Sequence, residues 1–293
     1  MALPDVRKKI NRMTLTDQRL RYALVQATGK EERQRISRNM HISDSLNRVA
    51  AKAIFKQYGW PAISAIGKDG QNNFWLMIQH ADDDLPFQQA ALSAMRKLKA
   101  TGEVNLENYA FLFDRVRCNL NYKQWYGTQV NWASNGKATG FRRIDHEEAV
   151  DRRRAAIGLL PLRLYALTYG FDYTYMTTEE ANRRDSAERQ GLRDLITDAG
   201  SLYRNKDFQQ MYDCYDKASM ILSGMSNAEN YQAAILFARV ATQNKDDRFS
   251  SMALDFLNLL YLRHALDKNK LKMQPAFRIL YKNPRWMSIY GDL

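Results

Sequence analysis

The residues with the clearest capacity for chemistry gather around Gln79-His80-Ala81-Asp82, where an imidazole that titrates near neutrality stands two positions before a carboxylate. Asp82 or Asp114 can orient that imidazole, which is the minimum for general acid–base work, so His80, Asp82 and Asp114 are the candidate catalytic residues. Gln79, Gln88, Tyr126 and Gln129 are neutral groups able to hold a carbonyl or amide. Arg153, with Arg115 and Arg152 beside it as further cations, can clamp an anion. Together these five make up the candidate ligand-binding set: Gln79, Gln88, Tyr126, Gln129 and Arg153. The same residues have a structural use. A histidine at a helix C-terminus is favoured by the dipole, Asp82 can cap the next helix, and Gln129 and Tyr126 can pin a hairpin through buried hydrogen bonds.

Other chemistries lose ground. No Ser or Cys sits in a nucleophile elbow, no phosphate-binding P-loop or paired-glycine dinucleotide fingerprint is present, and Gly67-x-x-Gly70 lacks the strand-loop-helix context. No cofactor is therefore expected. Cys118 and Cys214 are far apart and lack a second Cys or His at ligand spacing, while His41, His80, His146 and His264 are dispersed. Free thiols and no metal site follow. Asp82-Asp83-Asp84 is not a calcium loop, because its acids are adjacent rather than alternating.

The formal net charge of +12 is uneven: residues 1 to 60 carry 13 basic and 5 acidic side chains. That surplus is a solvated basic face, or a face for anionic partners. Without an aromatic-basic RNA motif or a zinc finger, any nucleic-acid binding should be weak and independent of sequence. The longest apolar stretch, Ala253 to Leu262, is interrupted by Asp255 and Asn258 and falls short of a membrane span. The first residues lack the features of a secretion signal, so the chain as written is expected in the cytoplasm; an exported protein whose signal had been removed would look the same.

The elements that must position these groups are mostly helices. Val6, Ile10 and Met13 recur at helical spacing, and Thr16 suits the cap of a second helix through Leu20, Leu24 and Ala27. A third helix is expected from Ser43-Asp44 to Gly59, burying Leu46, Val49, Ala50, Ala53 and Ile54. Ile63 to Asn73 reads as loop, and Phe74 to Ala81 and Pro86 to Lys99 as helices. Asn105 can cap a helix carrying Tyr109, Leu112, Phe113 and Val116. Tyr126 to Trp132 and Ala138 to Ile144 flank Asn135-Gly136, a strong hairpin signal. Asp145 with Glu148 resembles a capping box, Gly158 ends the helix that follows, and Pro161 opens another.

The Gly59-Trp60-Pro61, Gln79-His80-Ala81-Asp82 and Tyr126-Gly127-Thr128-Gln129 segments, with Asp17-Gln18 and Arg21 near the start and Asp114-Arg115-Val116 between, resemble a bacterial family known only as a domain of unknown function. The resemblance covers roughly residues 10 to 170 and implies a mainly helical domain without an established activity.

The pattern changes after Gly170 to Thr178, giving expected domains at 1–175 and 176–293. Beyond it, Ala199, Leu202, Tyr203, Lys206-Asp207-Phe208, Met211, Tyr215 and Ala218 read as one helix pair. Tyr231 to Ala238, the turn Asn244-Lys245-Asp246-Asp247, and Phe249 to Phe256 read as a second. The pairs resemble tetratricopeptide repeats, and Asn283-Pro284-Arg285-Trp286 resembles the closing segment of such arrays. The expected fold is thus mainly α: a helical N-terminal domain with one small β-hairpin, plus C-terminal tetratricopeptide-like helix pairs. The expected role is binding of a protein or peptide, with Tyr203, Tyr215, Tyr231 and Arg239 as groove residues and a polar pocket in the first domain; an enzyme using His80 is the alternative.

Overall fold

The computed structural model describes residues 3–244 and 246–291; Lys245 of the expected turn lies outside them. The chain is mainly α with one small antiparallel hairpin, and it divides into two compact units: residues up to 119 with 124–174, and residues 120–123 with everything from 175 on. Among the described residues no helix is long and apolar enough to cross a membrane.

The first unit opens with α1 (Pro4–Gln26) and α2 (Lys30–Tyr58). Two shorter helices are expected over the span of α1, but Thr16 does not cap. Its hydroxyl bonds back to the Arg12 carbonyl, and Thr14 does the same to Ile10, so the backbone ladder runs through. Helix α2 starts at Lys30, well before Ser43. Gly29 provides an extended N-cap, Glu31 and Glu32 sit in the first turn, and Arg33 donates to the Leu24 and Ala27 carbonyls at the end of α1. Its buried face is Ile36, Asn47, Ala51 and Ile54, whereas the expected core residues Leu46, Val49 and Ala53 are exposed. A helix of this length offers two apolar stripes, and packing against α1 and α3 selects the smaller one.

Helix α3 (Ile63–Gln79) replaces the expected loop. Gly67, at φ 77°, kinks the helix rather than ending it, and Gly70 lets Arg7 and Ile66 pack where a Cβ would come within 3.2 Å of the Arg7 Cγ. Gln71 then fastens the kinked end: its amide donates to the Pro61 and Glu103 carbonyls at 2.8 and 2.9 Å and accepts from the Asn105 N–H at 2.8 Å.

Helix α4 (Leu85–Leu98) is capped by Asp84, whose side chain accepts from the Phe87 N–H. Helix α5 (Leu106–Asn119) is capped by Asn105, as its position suggests. Strands β1 (Val130–Trp132) and β2 (Ala138–Phe141) pair around the Asn135-Gly136 turn, with Val130 opposite Phe141. The Asp145-Glu148 capping box does not form. A 3-10 turn at Glu147–Ala149 precedes α6 (Val150–Ala155), and Asp145 pairs with Arg117 at 3.0 Å instead. Helix α7 (Leu162–Leu167) follows Pro161.

The second unit contains α8 (Thr178–Arg204), α9 (Phe208–Ser219), α10 (Asn227–Gln243), α11 (Asp247–Leu262), α12 (Lys268–Met273) and α13 (Pro284–Gly291). Capping boxes at Thr177 and Ser226 start α8 and α10, and Asp207 and Asp246 cap α9 and α11. Helices α8 and α9 pack as one pair and α10 and α11 as another. Ala199, Met211, Tyr215, Ala218, Phe237, Phe249 and Phe256 share a core with Phe277 and Trp286 from the end of the chain. Tyr215 is therefore interior, Tyr231 packs on Phe277, and Arg239 is exposed. Residues 120–123 strap onto this unit: Asn121 donates to the Ser219 carbonyl, the Ser223 N–H donates to the Asn121 carbonyl, and Lys123 pairs with Asp185.

Candidate functional site

Two charged networks organise the polar residues of the first unit. The first lies where α1, α2 and the end of α3 meet. Asp17 is buried on α1, one turn before Arg21, whose guanidinium bonds both Asp17 oxygens at 3.0 and 3.1 Å and reaches Asp44 of α2 at 2.8 Å. Gln18 adds a bond to Asp17 at 2.8 Å. His80 closes α3 with its Nδ1 3.7 Å from the Asp17 Oδ2.

Electrostatics follow from this geometry. Burial pushes the Asp17 carboxyl up, but the Arg21 bonds and charge overcome it and leave it below the ordinary carboxylate value. Burial raises Asp44, with the neighbouring Asp17 charge adding to the effect and Arg21 opposing it. His80 is pushed down to about 4, first by burial and then by the Arg21 charge, with Asp17 pulling the other way. The imidazole is thus neutral at physiological pH, and its side chain keeps 23% exposure.

Asp82 does not cap α4. Arg115 of α5 binds it through both carboxylate oxygens, the Nε–Oδ1 bond being 2.6 Å, and Asn119 adds a third contact at 3.2 Å. Burial raises the Asp82 carboxyl, yet the Arg115 bonds and charge leave it below the ordinary value. Gln88, fully buried on α4, donates to the Ile78 and Gln79 carbonyls and to Asp82, tying the end of α3 to the following turn. Asp83 pairs with Arg48 and Asp84 with Lys52. Around this helix end, three buried polar atoms have no hydrogen-bond partner: Gln79 Oε1, His80 Nδ1 and Gln88 Oε1. Orphans of this kind are uncommon inside proteins, and three within ten residues mark the place.

The second network surrounds Asp114. Its carboxylate is fully buried and accepts from the backbone N–H groups of Trp125, Tyr126 and Thr128 and from the Thr128 hydroxyl, at 2.7 to 3.1 Å. Burial pushes this carboxyl above the ordinary carboxylate value, and the four donors oppose the shift without cancelling it. Gln124 bonds the Gln129 N–H with its oxygen and the Gln129 and Arg142 carbonyls with its nitrogen. Gln129 itself donates to Phe111 and Thr128. Arg153 donates to the Trp125, Asp145 and His146 carbonyls with its guanidinium 4.2 Å above the Trp125 ring. Arg154, fully buried, donates to the Tyr126 and Leu160 carbonyls and lies over Tyr165. The phenol of Tyr126 is pushed up to about 12 by burial and stays protonated.

The candidate residues therefore fall into two groups. His80, Asp82, Gln79, Gln88 and Arg115 come together; Asp114, Tyr126, Gln129 and Arg153 are engaged in fixing the 125–129 turn, and Arg152 is exposed. No hydrogen bond or ion pair among the described residues joins His80 to Asp114. Sequence reading missed Arg21 and Asp44 as part of the site, and Asp17 as the carboxylate that faces His80. Their signal is a carboxylate at a position where the helical period of Ile10 and Thr14 calls for a buried residue, with an arginine four residues later.

Asp17, Asp44 and His80 each offer a ligand atom within 4.8 Å of the others, a donor set that a divalent cation can use. Arg21 already spans both carboxylates, however, and supplies the neutralising charge from within the chain.

No curated protein and no solved structure matches this sequence. Residues 4–175, the span that holds both networks, match the profile of one family throughout, and the chain belongs to that family of unknown function (DUF6624).

Proposed function

We propose that the first unit is a catalytic domain in which neutral His80 takes a proton from a bound polar ligand or from water, with Asp17 as the carboxylate that orients it. The observation that carries this reading is the His80 Nδ1, buried and without a hydrogen bond, 3.7 Å from an ionised Asp17. Closing that gap by less than an ångström makes a carboxylate–imidazole hydrogen bond through Nδ1, and Nε2 is then the base. Burial, Arg21 and Arg115 disfavour the imidazolium that proton transfer creates, and Asp17 and Asp82 favour it. The unpartnered oxygens of Gln79 and Gln88 suit a ligand that carries N–H or O–H groups. Arg21 and Arg115 hold carboxylates in place, so their part is to fix Asp17, Asp44 and Asp82.

The test is a screen of small polar compounds for thermal stabilisation of the full chain, followed by turnover assays on each stabilising compound with the wild type, His80→Gln and Asp17→Asn. The reading expects turnover to fall about 10²-fold or more in His80→Gln while binding persists. Turnover unchanged in His80→Gln, or a screen in which no compound's binding depends on the Gln79–Gln88 region, would overturn it.

A separate role for the second unit rests on its two helix pairs, which we read as tetratricopeptide-like and as a site for a partner protein. A cleft of about 400 Å³ between α8 and α9 is lined by Asp198, Gln210, Asp213 and Lys217, and two carboxylates on its wall favour a segment bearing a basic side chain. Peptide-array binding that is abolished by Asp213→Lys supports this role; binding indifferent to that change removes it.

A further inference from the structure

The outer side of α2 is an apolar stripe with basic ends. Ile42, Leu46 and Val49 are 60%, 66% and 66% exposed and recur at i, i+4 and i+7, and exposed Ala53 continues the row. At 100° per residue Arg35 and Arg38 fall on the same side before Ile42, and Lys56 falls on it after Ala53; all three are exposed. Glu31 shares this side only in the first turn, where the helix dipole accounts for it. Beside α2 packs α1, which exposes Leu15, Tyr22 and Val25 at 51%, 69% and 77%. Three adjacent large apolar residues, each more than half exposed on one helix face, cost solvation free energy that a lone surface leucine does not.

Charge decides what can cover this stripe. A second copy of α2 laid antiparallel sets Arg35 and Arg38 against Lys56, and a parallel copy sets each basic residue against itself. Both pairings are repulsive. The first 60 residues hold 13 basic and 5 acidic side chains, and two of the acids, Asp17 and Asp44, are already bound by Arg21. The covering surface must therefore bring negative charge along with an apolar layer. A convex helix side meets a plane more completely than it meets another convex side, and long basic side chains can lie at the level of phosphates while the apolar row sinks between them.

We propose that this face of α2 docks on an anionic lipid bilayer, with Ile42, Leu46 and Val49 entering the headgroup region and Arg35, Arg38 and Lys56 on the lipid phosphates. The chain attaches to the membrane surface by this face without crossing the bilayer, in keeping with the absence of an apolar spanning helix among the described residues.

The test is flotation of the full chain with vesicles of phosphatidylcholine alone and of phosphatidylcholine mixed with phosphatidylglycerol, at low and at physiological salt. The proposal expects the chain to float with the anionic vesicles only. Leu46→Glu and Val49→Glu, both at exposed positions, should each weaken binding about tenfold while the melting temperature is unchanged. Three results overturn it: no flotation of the wild type with anionic vesicles, wild-type binding in both glutamate variants, or a solution dimer, seen by sedimentation velocity, that Leu46→Glu dissociates. The second of these assigns any binding to diffuse basic charge, and the third assigns the stripe to a second copy of the chain.

Discussion

Asp114 and Arg115 are consecutive on α5, yet Asp114 gathers three backbone N–H groups and a hydroxyl of the 125–128 turn while Arg115 reaches back to Asp82. One residue holds the hairpin to the helices, and the other holds the turn after His80.

The two are expected to differ in stability when replaced. Asp114→Ala leaves three N–H groups without their acceptor in a buried place, at about 1 to 3 kcal/mol each. Arg115→Gln breaks an ion pair whose carboxylate is about half exposed, worth about 1 kcal/mol at most. Thermal unfolding of both variants checks this; equal losses would contradict the division of labour.

His80 gives the first unit a pH dependence with a definite sign. Its folded value, about 4, lies below its ordinary 6.5, because burial and then Arg21 disfavour the imidazolium. Unfolded chains therefore bind the proton first, so the stabilisation is complete above about pH 6.5 and is lost as pH falls toward 4. The loss across that window is on the order of 3 kcal/mol. Denaturation of the wild type and of His80→Gln between those pH values should show a steeper slope for the wild type, and parallel slopes would refute the assignment.

Gly127 and Gly158 both have positive φ, but only one is crowded. At Gly127, φ 69°, an added Cβ would stand 2.7 Å from the Leu162 Cδ1 and 3.1 Å from the Ile144 Cδ1; at Gly158, φ 76°, nothing lies within 4 Å. Gly158→Ala should cost about 1 to 2 kcal/mol of backbone strain, and Gly127→Ala that amount plus about 1 to 3 kcal/mol of overpacking. Chemical denaturation of the two variants measures the difference directly.

A fragment beginning at residue 175 lacks the 120–123 strap. It loses the bond from Asn121 to Ser219, the Lys123–Asp185 pair and the bond from Arg263 to the Leu120 carbonyl. Its melting temperature should lie below that of the same unit in the full chain, as followed by a probe on Trp286. A fragment as stable as the full chain would show that the strap contributes nothing.

What the sequence determined by itself is what neighbouring residues settle among themselves. The Asn135-Gly136 turn, the Asn105 cap, the helix-pair joint at Lys206-Asp207-Phe208 and the Ala199-Met211-Tyr215-Ala218 core row depend on dihedral preference, on a side chain's reach to a nearby N–H and on helical period, all of which act over a few residues. Those same local rules misread Ile63 to Asn73, because the glycines there serve a kink and a close approach that Gln71 secures by joining Pro61 to Asn105, far apart in the chain. Only the tertiary structure decided which stripe of α2 is buried, since Leu46-Val49 and Ala51-Ile54 are both valid helical rows and the choice lies with α1 and α3. It also decided the partner of His80. Asp82 by proximity in sequence and Asp114 by type are candidates, but Arg115 and the 125–128 turn take them, and Asp17, sixty-three residues earlier, arrives beside the imidazole because α1 packs along α3. Charge pairing over such distances is set by where helices cross, which no short stretch of sequence specifies.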